Sequence, residues 1–273
     1  MSTRDAATSS YEARLARLRA DLRALERVAV AFSGGVDSTV LLHAAQAVLG
    51  DGAAAVIADS PSLPRRELAQ ARALASAIGA QLCVIATDEL ADERYRANAG
   101  DRCYFGKSAL FRAMEPWARA HGFRALAFGE ITDDLLDDRP GARAAREFGV
   151  VAPLSAAGFS KDDVRRYARD AGLQVADKPS SACLASRLPV GTVVTAERLA
   201  RIERAEEALR TLGFSQLRVR DLGEKARVEV GRDERGRAEE LRESIAKALA
   251  AEGFVAVEIA VYVTAAERAA AGS

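Results

Sequence analysis

Short apolar runs alternate along this chain with stretches in which apolar residues recur every three or four positions. The apolar runs lie at 28–32, 53–58, 81–86 and 124–128, and each is followed by glycine or polar residues. Runs of this length predict buried strands, whereas the three-to-four-residue spacing predicts amphipathic helices. The order strand, helix, strand, helix therefore predicts an α/β fold with a doubly wound parallel sheet.

The first 26 residues predict a helix with one apolar stripe. Its leucines recur at helical spacing, at Leu15, Leu18, Leu22 and Leu25. Such a stripe predicts packing, either in the core of the chain itself or against a second copy.

The pattern changes beyond residue 191. A helix after Thr195, two short strands, another helix and a last strand predict a smaller α+β domain. We therefore expect three parts: an N-terminal helix (1–26), a nucleotide-binding domain (27–190) and a small substrate or oligomerisation domain (191–273).

Composition disfavours several classes of protein. The 273 residues are 49% hydrophobic, enough for a large core, and the 39 basic and 39 acidic residues balance. Because no net field attracts nucleic acid or an anionic membrane, we expect neither as a partner. The three cysteines Cys83, Cys103 and Cys183 do not form a secreted disulfide framework and indicate a reducing, cytoplasmic location. No run approaches the roughly 20 apolar residues that span a bilayer.

The hexapeptide SGGVDS joins the first apolar run to the next helical segment. Adjacent glycines let main-chain N–H groups turn inward, and the start of a helix adds further amides, so the sequence predicts a phosphate-binding loop. The hydroxyl and amide donors are expected from Ser33, Gly34, Gly35 and Ser38. The carboxylate of Asp37 suits Mg²⁺.

Other polar residues follow the strands of the predicted sheet. Asp59 and Ser60 come after the second strand and Gly129 after the fourth, where a parallel sheet binds its ligand. Lys107 is a further candidate for phosphate or AMP. The segment 135–146 is rich in charge and predicts a loop.

Four motifs in order carry a resemblance to a known family. SGGVDS after a strand resembles the PP-loop of the N-type ATP pyrophosphatases, which have a HUP-like fold. Together with DSPSLP (59–64), GEITDD (129–134) and SSACLASR (180–187), it makes the chain similar to the LarE family over nearly its whole length. The resemblance implies an ATP-dependent sacrificial sulfur transferase that uses ATP and Mg²⁺, forms a homo-oligomer and acts on a pyridinium mononucleotide.

The resemblance also assigns chemistry to residues. Pyridinium-3,5-biscarboxylic acid mononucleotide would be adenylated, and Cys183 would then give up its sulfur and become dehydroalanine, in the biosynthesis of the nickel-pincer cofactor of lactate racemase. Lys178 and Arg187 are expected to lower the pKa of this thiol. The substrate-binding residues implied by the resemblance are Arg187, Arg218, Arg220, Glu206 and Glu229.

Cys103 marks a departure from some relatives, which carry C-x-x-C at this place. Here the sequence is Cys103 followed by Tyr-Phe-Gly, so the thiolates for an iron–sulfur cluster are incomplete and none is expected. Two other interpretations stay open. One is another PP-loop enzyme, such as a tRNA thiolase or an amide-forming ATP pyrophosphatase, and the other is a nucleotide-binding protein without catalysis.

Overall fold

The structure is a computed structural model, and it describes residues 3–136, 140–178 and 182–263. The chain divides into two compact units. The first comprises Met1–Tyr95 and Asp101–Ser181, and the second comprises Arg96–Gly100 and Ala182–Ser273. The division after residue 181 falls earlier than the change of sequence pattern at 191. The short segment Arg96–Gly100 belongs to the second unit although it lies far from the rest of that unit in sequence.

Four parallel strands form the sheet of the first unit, in the spatial order β3, β2, β1, β4. Ala31 pairs with Val56 on one side and with Phe128 on the other. The segments that follow β1 and β4 therefore leave the sheet side by side at its carboxyl end. The strands are β1 (Val28–Ala31), β2 (Ala53–Asp59), β3 (Gln81–Ala86) and β4 (Ala125–Phe128).

Helices cover both faces of this sheet, which confirms the predicted doubly wound α/β fold. Val28 and Val30 pack in one apolar cluster, whereas Ala29 between them packs in the cluster on the other face, as the two-residue period of a strand requires. The helices in this part of the chain are α1 (Thr3–Leu25), α2 (Val36–Leu49), α3 (Arg65–Ile78), α4 (Glu93–Ala97), α5 (Arg102–Ala120), α6 (Pro140–Glu147), α7 (Pro153–Ala156) and α8 (Lys161–Asp170).

The leucine stripe of α1 is part of the core of the first unit. Leu18 and Leu22 are completely buried and Leu15 is 8% exposed. They share one apolar cluster with Leu41 of α2 and Phe159. The alternative that this stripe faces a second copy of the chain is therefore wrong, since these side chains are already covered.

The sequence predicted a loop over the charged segment 135–146, and the structure corrects this prediction for residues 140–146. Residues 140–147 form α6, which packs against α5. Ala144 and Ala145 are buried in the apolar cluster of that face, while the guanidinium of Arg143 lies 4.2 Å from the centre of the Tyr104 ring. Alanine gives a weak apolar signal in sequence, which is why the charged residues dominated the prediction. Arg139, which lies inside this segment, is outside the described residues.

The second unit has a sheet of three strands with helices on one face. Strands β5 (Leu217–Leu222) and β6 (Lys225–Val230) are antiparallel, and β7 (Ala256–Val261) is parallel to β6. The helices are α9 (Ala196–Thr211), α10 (Arg235–Glu240) and α11 (Arg242–Ala250). This confirms the predicted small α+β part, although one predicted helix is divided at Leu241. Thr195 caps α9 as expected, because its side chain accepts a hydrogen bond from the Arg198 N–H.

In the part of the chain that the structure describes, no helix combines the length and the apolar character required to cross a membrane.

Candidate active site

The loop between β1 and α2 has the backbone that its two glycines allow. Gly34 has a φ of 68°, a left-handed conformation that residues with a side chain rarely adopt. A Cβ at this position would also lie 3.3 Å from the Cβ of Ala71 on α3. Both the conformation and the close approach of α3 therefore require glycine here.

Two serine hydroxyls stabilise the loop from within. The Gly35 N–H donates to Ser33 Oγ at 3.3 Å, and the two hydroxyl oxygens of Ser33 and Ser38 are 3.1 Å apart. Gly35 is the N-cap of α2 and provides no side-chain cap to the first amides of that helix. A helix start of this kind attracts an anion through its N–H groups and its dipole. The predicted phosphate loop is thus built as a compact turn at a helix start.

Gly129 lets β4 approach the first turn of α2. A Cβ at Gly129 would lie 2.8 Å from the Ser38 nitrogen and 2.9 Å from the carbonyl carbon of Asp37. Both are backbone atoms that could not move without shifting the helix. Gly129 therefore contributes to the site through its lack of a side chain.

Asp37 is paired with a lysine that sequence reasoning missed. Lys161 Nζ donates to the two carboxylate oxygens of Asp37 at 2.7 and 2.8 Å, and each side chain keeps more than a quarter of its surface exposed. Lys161 is the first residue of α8, and Ser160 and Asp163 form a capping box at that helix start. The S-x-x-D pattern could have placed the start of α8, but not the distance from Lys161 to Asp37, which depends on how α8 packs against α2.

Lys178 contacts the phosphate loop directly. Its ammonium donates to the Gly34 carbonyl oxygen at 3.2 Å, to Glu67 Oε2 at 2.7 Å and to Gln70 Oε1 at 3.1 Å. The sequence-based expectation was that Lys178 would lower the pKa of the Cys183 thiol. The structure instead assigns its three N–H donors to groups of the first unit.

Arg65 maintains the shape of the loop after β2. It pairs with Asp59 and donates to the carbonyl oxygens of Ser60 and Leu63, each at 2.8 Å. The Ser60 hydroxyl oxygen accepts from the Ser62 N–H at 3.2 Å. Asp59 and Ser60 thus lie at the carboxyl end of β2 as predicted, but both are engaged in loop structure, and Arg65 is a further residue that the sequence did not single out.

Lys107 lies against the last residue of β4. Its ammonium is 4.5 Å from the centre of the Phe128 ring, and its aliphatic chain passes close to Gly141 of α6. A cation over an aromatic ring is attracted by about 0.5–2 kcal/mol. Lys107, which the sequence suggested as a phosphate or AMP contact, thus lies beside Phe128, the residue before Gly129.

Cys183 begins a short helical turn in the second unit. It is the N-cap of the 3-10 helix Leu184–Arg187, and it is partly exposed. The guanidinium of Arg187 donates to the carbonyl oxygens of Ala182 at 2.6 Å and of Cys183 at 3.1 Å. Arg187 therefore fixes the backbone on which the thiol is carried.

Arg187 is itself held by a buried carboxylate. It donates to Glu206 at 2.9 and 3.3 Å, and the two residues are only 5% and 4% exposed. Glu206 also accepts from the Val219 N–H at 3.1 Å. Removing one partner of a buried pair like this leaves an uncompensated charge, so both residues support the conformation of the cysteine segment.

Strand β5 brings the remaining predicted substrate residues together. Arg218 and Arg220 are two positions apart on β5 and so lie on one face of the sheet. In the register of the two strands, Arg218 is opposite Glu229 of β6. Arg220 donates to Glu229 at 2.9 Å and to the Ser186 carbonyl oxygen at 3.0 Å. Arg218 lies 4.5 Å from the centre of the Tyr262 ring.

The electrostatics of this cluster favour an anion. Burial lowers the pKa of the Arg218 guanidinium, and the positive charges of Arg187 and Arg220 act in the same direction. Guanidiniums bind carboxylate and phosphate groups through paired N–H donors, so the arginines of this cluster have the chemistry to bind an anionic group of a ligand.

The described side chains do not by themselves form a metal site. Across residues 3–136, 140–178 and 182–263, no three side chains of His, Cys, Asp or Glu converge where they could hold a metal ion. Mg²⁺ is usually bound by one or two carboxylates together with substrate phosphates, and Asp37 offers one such carboxylate, whose two oxygens accept from Lys161 in this structure. Of the other cysteines, Cys103 is exposed on the first turn of α5, and Cys83 is partly buried in β3, where burial raises the pKa of its thiol.

Comparison with known proteins gives one family match and several relatives. Residues 15–137, which include β1 to β4, match the asparagine synthase family model. An uncharacterised protein of Synechocystis sp. is 44% identical over 219 residues, 80% of this chain and 82% of that protein. A protein of Methanocaldococcus jannaschii is 28% identical over 211 residues, 76% of this chain and 79% of that protein.

A third relative has a named activity. The pyridinium-3,5-bisthiocarboxylic acid mononucleotide synthase of Lactiplantibacillus plantarum is 39% identical over 216 residues, which cover 79% of this chain and 78% of the synthase. Identity at this level over most of both chains, together with the phosphate loop at the carboxyl end of a parallel sheet, identifies the family. The chain belongs to the LarE family of PP-loop enzymes, which includes this synthase.

Proposed function

We propose that this enzyme uses ATP to activate a carboxylate of pyridinium-3,5-biscarboxylic acid mononucleotide and replaces an oxygen of that group with the sulfur of Cys183. The product would be the thiocarboxylate used for the nickel-pincer cofactor. The observation that carries this proposal is the 39% identity to the Lactiplantibacillus synthase over 79% of the chain. The partly exposed Cys183 on an ordered turn supports it.

The first step is adenylation. A carboxylate oxygen of the substrate attacks the α-phosphorus of ATP, the bond to the bridging oxygen of the β-phosphate breaks, and pyrophosphate leaves. We assign the β- and γ-phosphates, which leave as pyrophosphate, to the N–H and hydroxyl groups of the loop, and the AMP part of the nucleotide to the ends of β2 and β4. When bound with ATP, Mg²⁺ would be held by Asp37 and would neutralise phosphate charge. The proposed ATP-binding residues are Ser33, Gly34, Gly35, Asp37, Ser38, Asp59, Ser60, Lys107 and Gly129.

The second step transfers the sulfur. The Cys183 thiolate attacks the acyl carbon of the adenylate, and AMP leaves with the electron pair of the broken C–O bond. A base then removes the Cα proton of residue 183 and the Cβ–S bond breaks, which leaves dehydroalanine in the chain and a thiocarboxylate on the product. Arg218 and Arg220 are proposed to bind anionic groups of the substrate. Glu229 holds the side chain of Arg220. Glu206 holds Arg187, which in turn holds the backbone that carries the thiol.

Replacing the thiol tests this assignment. In the variant Cys183→Ala, pyrophosphate release with ATP, Mg²⁺ and the mononucleotide should continue, whereas thiocarboxylate formation should fall to background. The matched control Cys103→Ala should retain both. Intact-mass analysis of the unmodified enzyme after one turnover should show loss of the elements of H2S at residue 183. Undiminished sulfur transfer by Cys183→Ala would refute the proposal.

We further propose that the enzyme is cytoplasmic and assembles as a homo-oligomer. Its three cysteines are free thiols, which agrees with a reducing compartment. The homo-oligomer is implied by the family resemblance, and its interface is not the leucine stripe of α1.

A further inference from the structure

We propose that Lys178 is a positioning residue for the phosphate loop: its ammonium fixes the orientation of the peptide between Gly34 and Gly35, so that the Gly35 N–H is directed into the loop. This inference rests on the proposed use of ATP by that loop. It adds a residue of the first unit, outside the SGGVDS motif, to the proposed site.

The geometry of one peptide group carries the argument. The chain has no cis peptide bonds among the described residues, so the C=O of Gly34 and the N–H of Gly35 point in opposite directions. The oxygen accepts from Lys178 Nζ at 3.2 Å, and the N–H donates to Ser33 Oγ at 3.3 Å. By bonding to the Gly34 carbonyl oxygen, Lys178 therefore fixes the orientation of the peptide and directs the Gly35 N–H into the loop.

A glycine–glycine peptide needs such a support. Rotating this peptide by half a turn changes ψ of the first residue and φ of the second, and glycine tolerates the result at either end. The rotated peptide would direct a carbonyl oxygen into the loop in place of an N–H. An acceptor there would repel a phosphate oxygen, so the orientation decides whether the loop binds an anion.

The Lys178 ammonium is bonded to protein groups and is not arranged as a phosphate ligand. An ammonium has three N–H donors, and those of Lys178 are directed at Gly34, Glu67 and Gln70. Glu67 and Gln70 lie one turn apart on α3. Lys178 and Glu67 keep only 19% and 18% of their side-chain surface exposed. The ammonium is thus bound to two side chains of α3 and stabilises the loop through the Gly34 carbonyl oxygen.

Nucleotide binding tests the inference. Measured by calorimetry, Lys178→Met should bind ATP and pyrophosphate about tenfold to a hundredfold more weakly than the unmodified enzyme. This is the effect of losing one hydrogen bond to a charged group, here the bond from the Gly35 N–H to a phosphate. Binding of AMP should be unchanged. With ¹⁵N-glycine labelling, the Gly35 amide resonance should shift on addition of pyrophosphate in the unmodified enzyme and should not shift in the variant.

Three variants complete the experiment. Lys178→Arg keeps a cationic donor and should restore ATP affinity to within a fewfold, and Lys247→Met, which removes an exposed lysine of α11, should have no effect. If Lys178→Met does not fold, Glu67→Gln should weaken pyrophosphate binding severalfold. Unchanged ATP affinity in the folded Lys178 variant, or equal losses for ATP and AMP, would overturn the inference. If the unmodified enzyme bound neither ATP nor pyrophosphate, the proposed function would fail first.

Discussion

Glycine is required at Gly34 and at Gly129 for two different reasons. Gly34 adopts a left-handed backbone conformation, so its φ excludes most other residues. Gly129 has no such φ but lies where a Cβ would collide with the backbone of α2. The first position shapes the phosphate loop and the second lets β4 lie beside it. The two glycines therefore contribute to the same site through conformation in one case and through space in the other.

The variant Gly129→Ala should separate space from conformation. The added Cβ must push β4 and α2 apart, so we expect ATP affinity to fall at least tenfold and the free energy of unfolding to fall by about 1–3 kcal/mol. Calorimetry with ATP and chemical denaturation measure the two effects. Gly236→Ala is the matched control, because nothing lies within 4 Å of its Cβ on α10, and it should be neutral or slightly stabilising. ATP binding by Gly129→Ala at the unmodified level would contradict this account.

At the scale of elements, α1 and α6 show what determines whether a helix is recognised in sequence. The leucines of α1 give a strong period, and the structure confirms the helix and buries its stripe. The helix α6 buries only one glycine and three alanines and begins with a proline, so its pattern resembles a charged loop. Its helical state depends on the neighbouring surface of α5. Local periodicity was therefore enough to predict α1, whereas the helical state of α6 depends on tertiary contact.

The burial of the α1 stripe predicts a large effect on stability. Leu18→Ala removes a side chain with no exposed surface, and we expect the free energy of unfolding to fall by about 2–5 kcal/mol. Chemical denaturation measures the change. Arg17→Ala is the control on the same helix: its side chain is 67% exposed, and it should change stability by less than about 0.5 kcal/mol. An unaltered denaturation midpoint for Leu18→Ala would mean that α1 does not belong to the core.

At the scale of the whole molecule, charge is balanced and the functional groups are distributed over two units. The first unit holds the phosphate loop with Lys161 and Lys178, and the second holds Cys183 with the cluster on β5. Each unit has its own apolar cluster. Most lysines and arginines near these groups form ion pairs with carboxylates, so they do not add up to an extended positive surface. This distribution suits a small anionic substrate better than a polynucleotide.

A tRNA-binding experiment tests this interpretation. With 39 basic and 39 acidic residues, the enzyme should form no tRNA complex at micromolar concentrations in filter binding, even at about 50 mM salt, where electrostatic binding is strong. A micromolar complex that weakens steeply with added salt would favour the alternative of a tRNA thiolase. Sulfur transfer to the mononucleotide, measured in parallel, keeps the two interpretations distinguishable.

The sequence by itself determined the local features of this protein. The strands, the helix starts, the SGGVDS turn and the cysteine segment follow from residues close together in the chain, because turn chemistry and hydrophobic period are set by near neighbours. The sequence therefore predicted Gly34 in the turn and Asp37 at the start of the following helix, where the structure has them. The same holds for the α/β class of the fold.

Only the tertiary structure decided which charged groups meet. Lys161 pairs with Asp37, Lys178 with Glu67 and Gly34, and Arg187 with Glu206. The first two pairs join residues more than 100 positions apart, and local spacing gave Lys178 a different role. A long flexible side chain can reach many partners, and the choice among them depends on how helices and strands pack. Packing is a property of the whole fold, so no short stretch of sequence contains it.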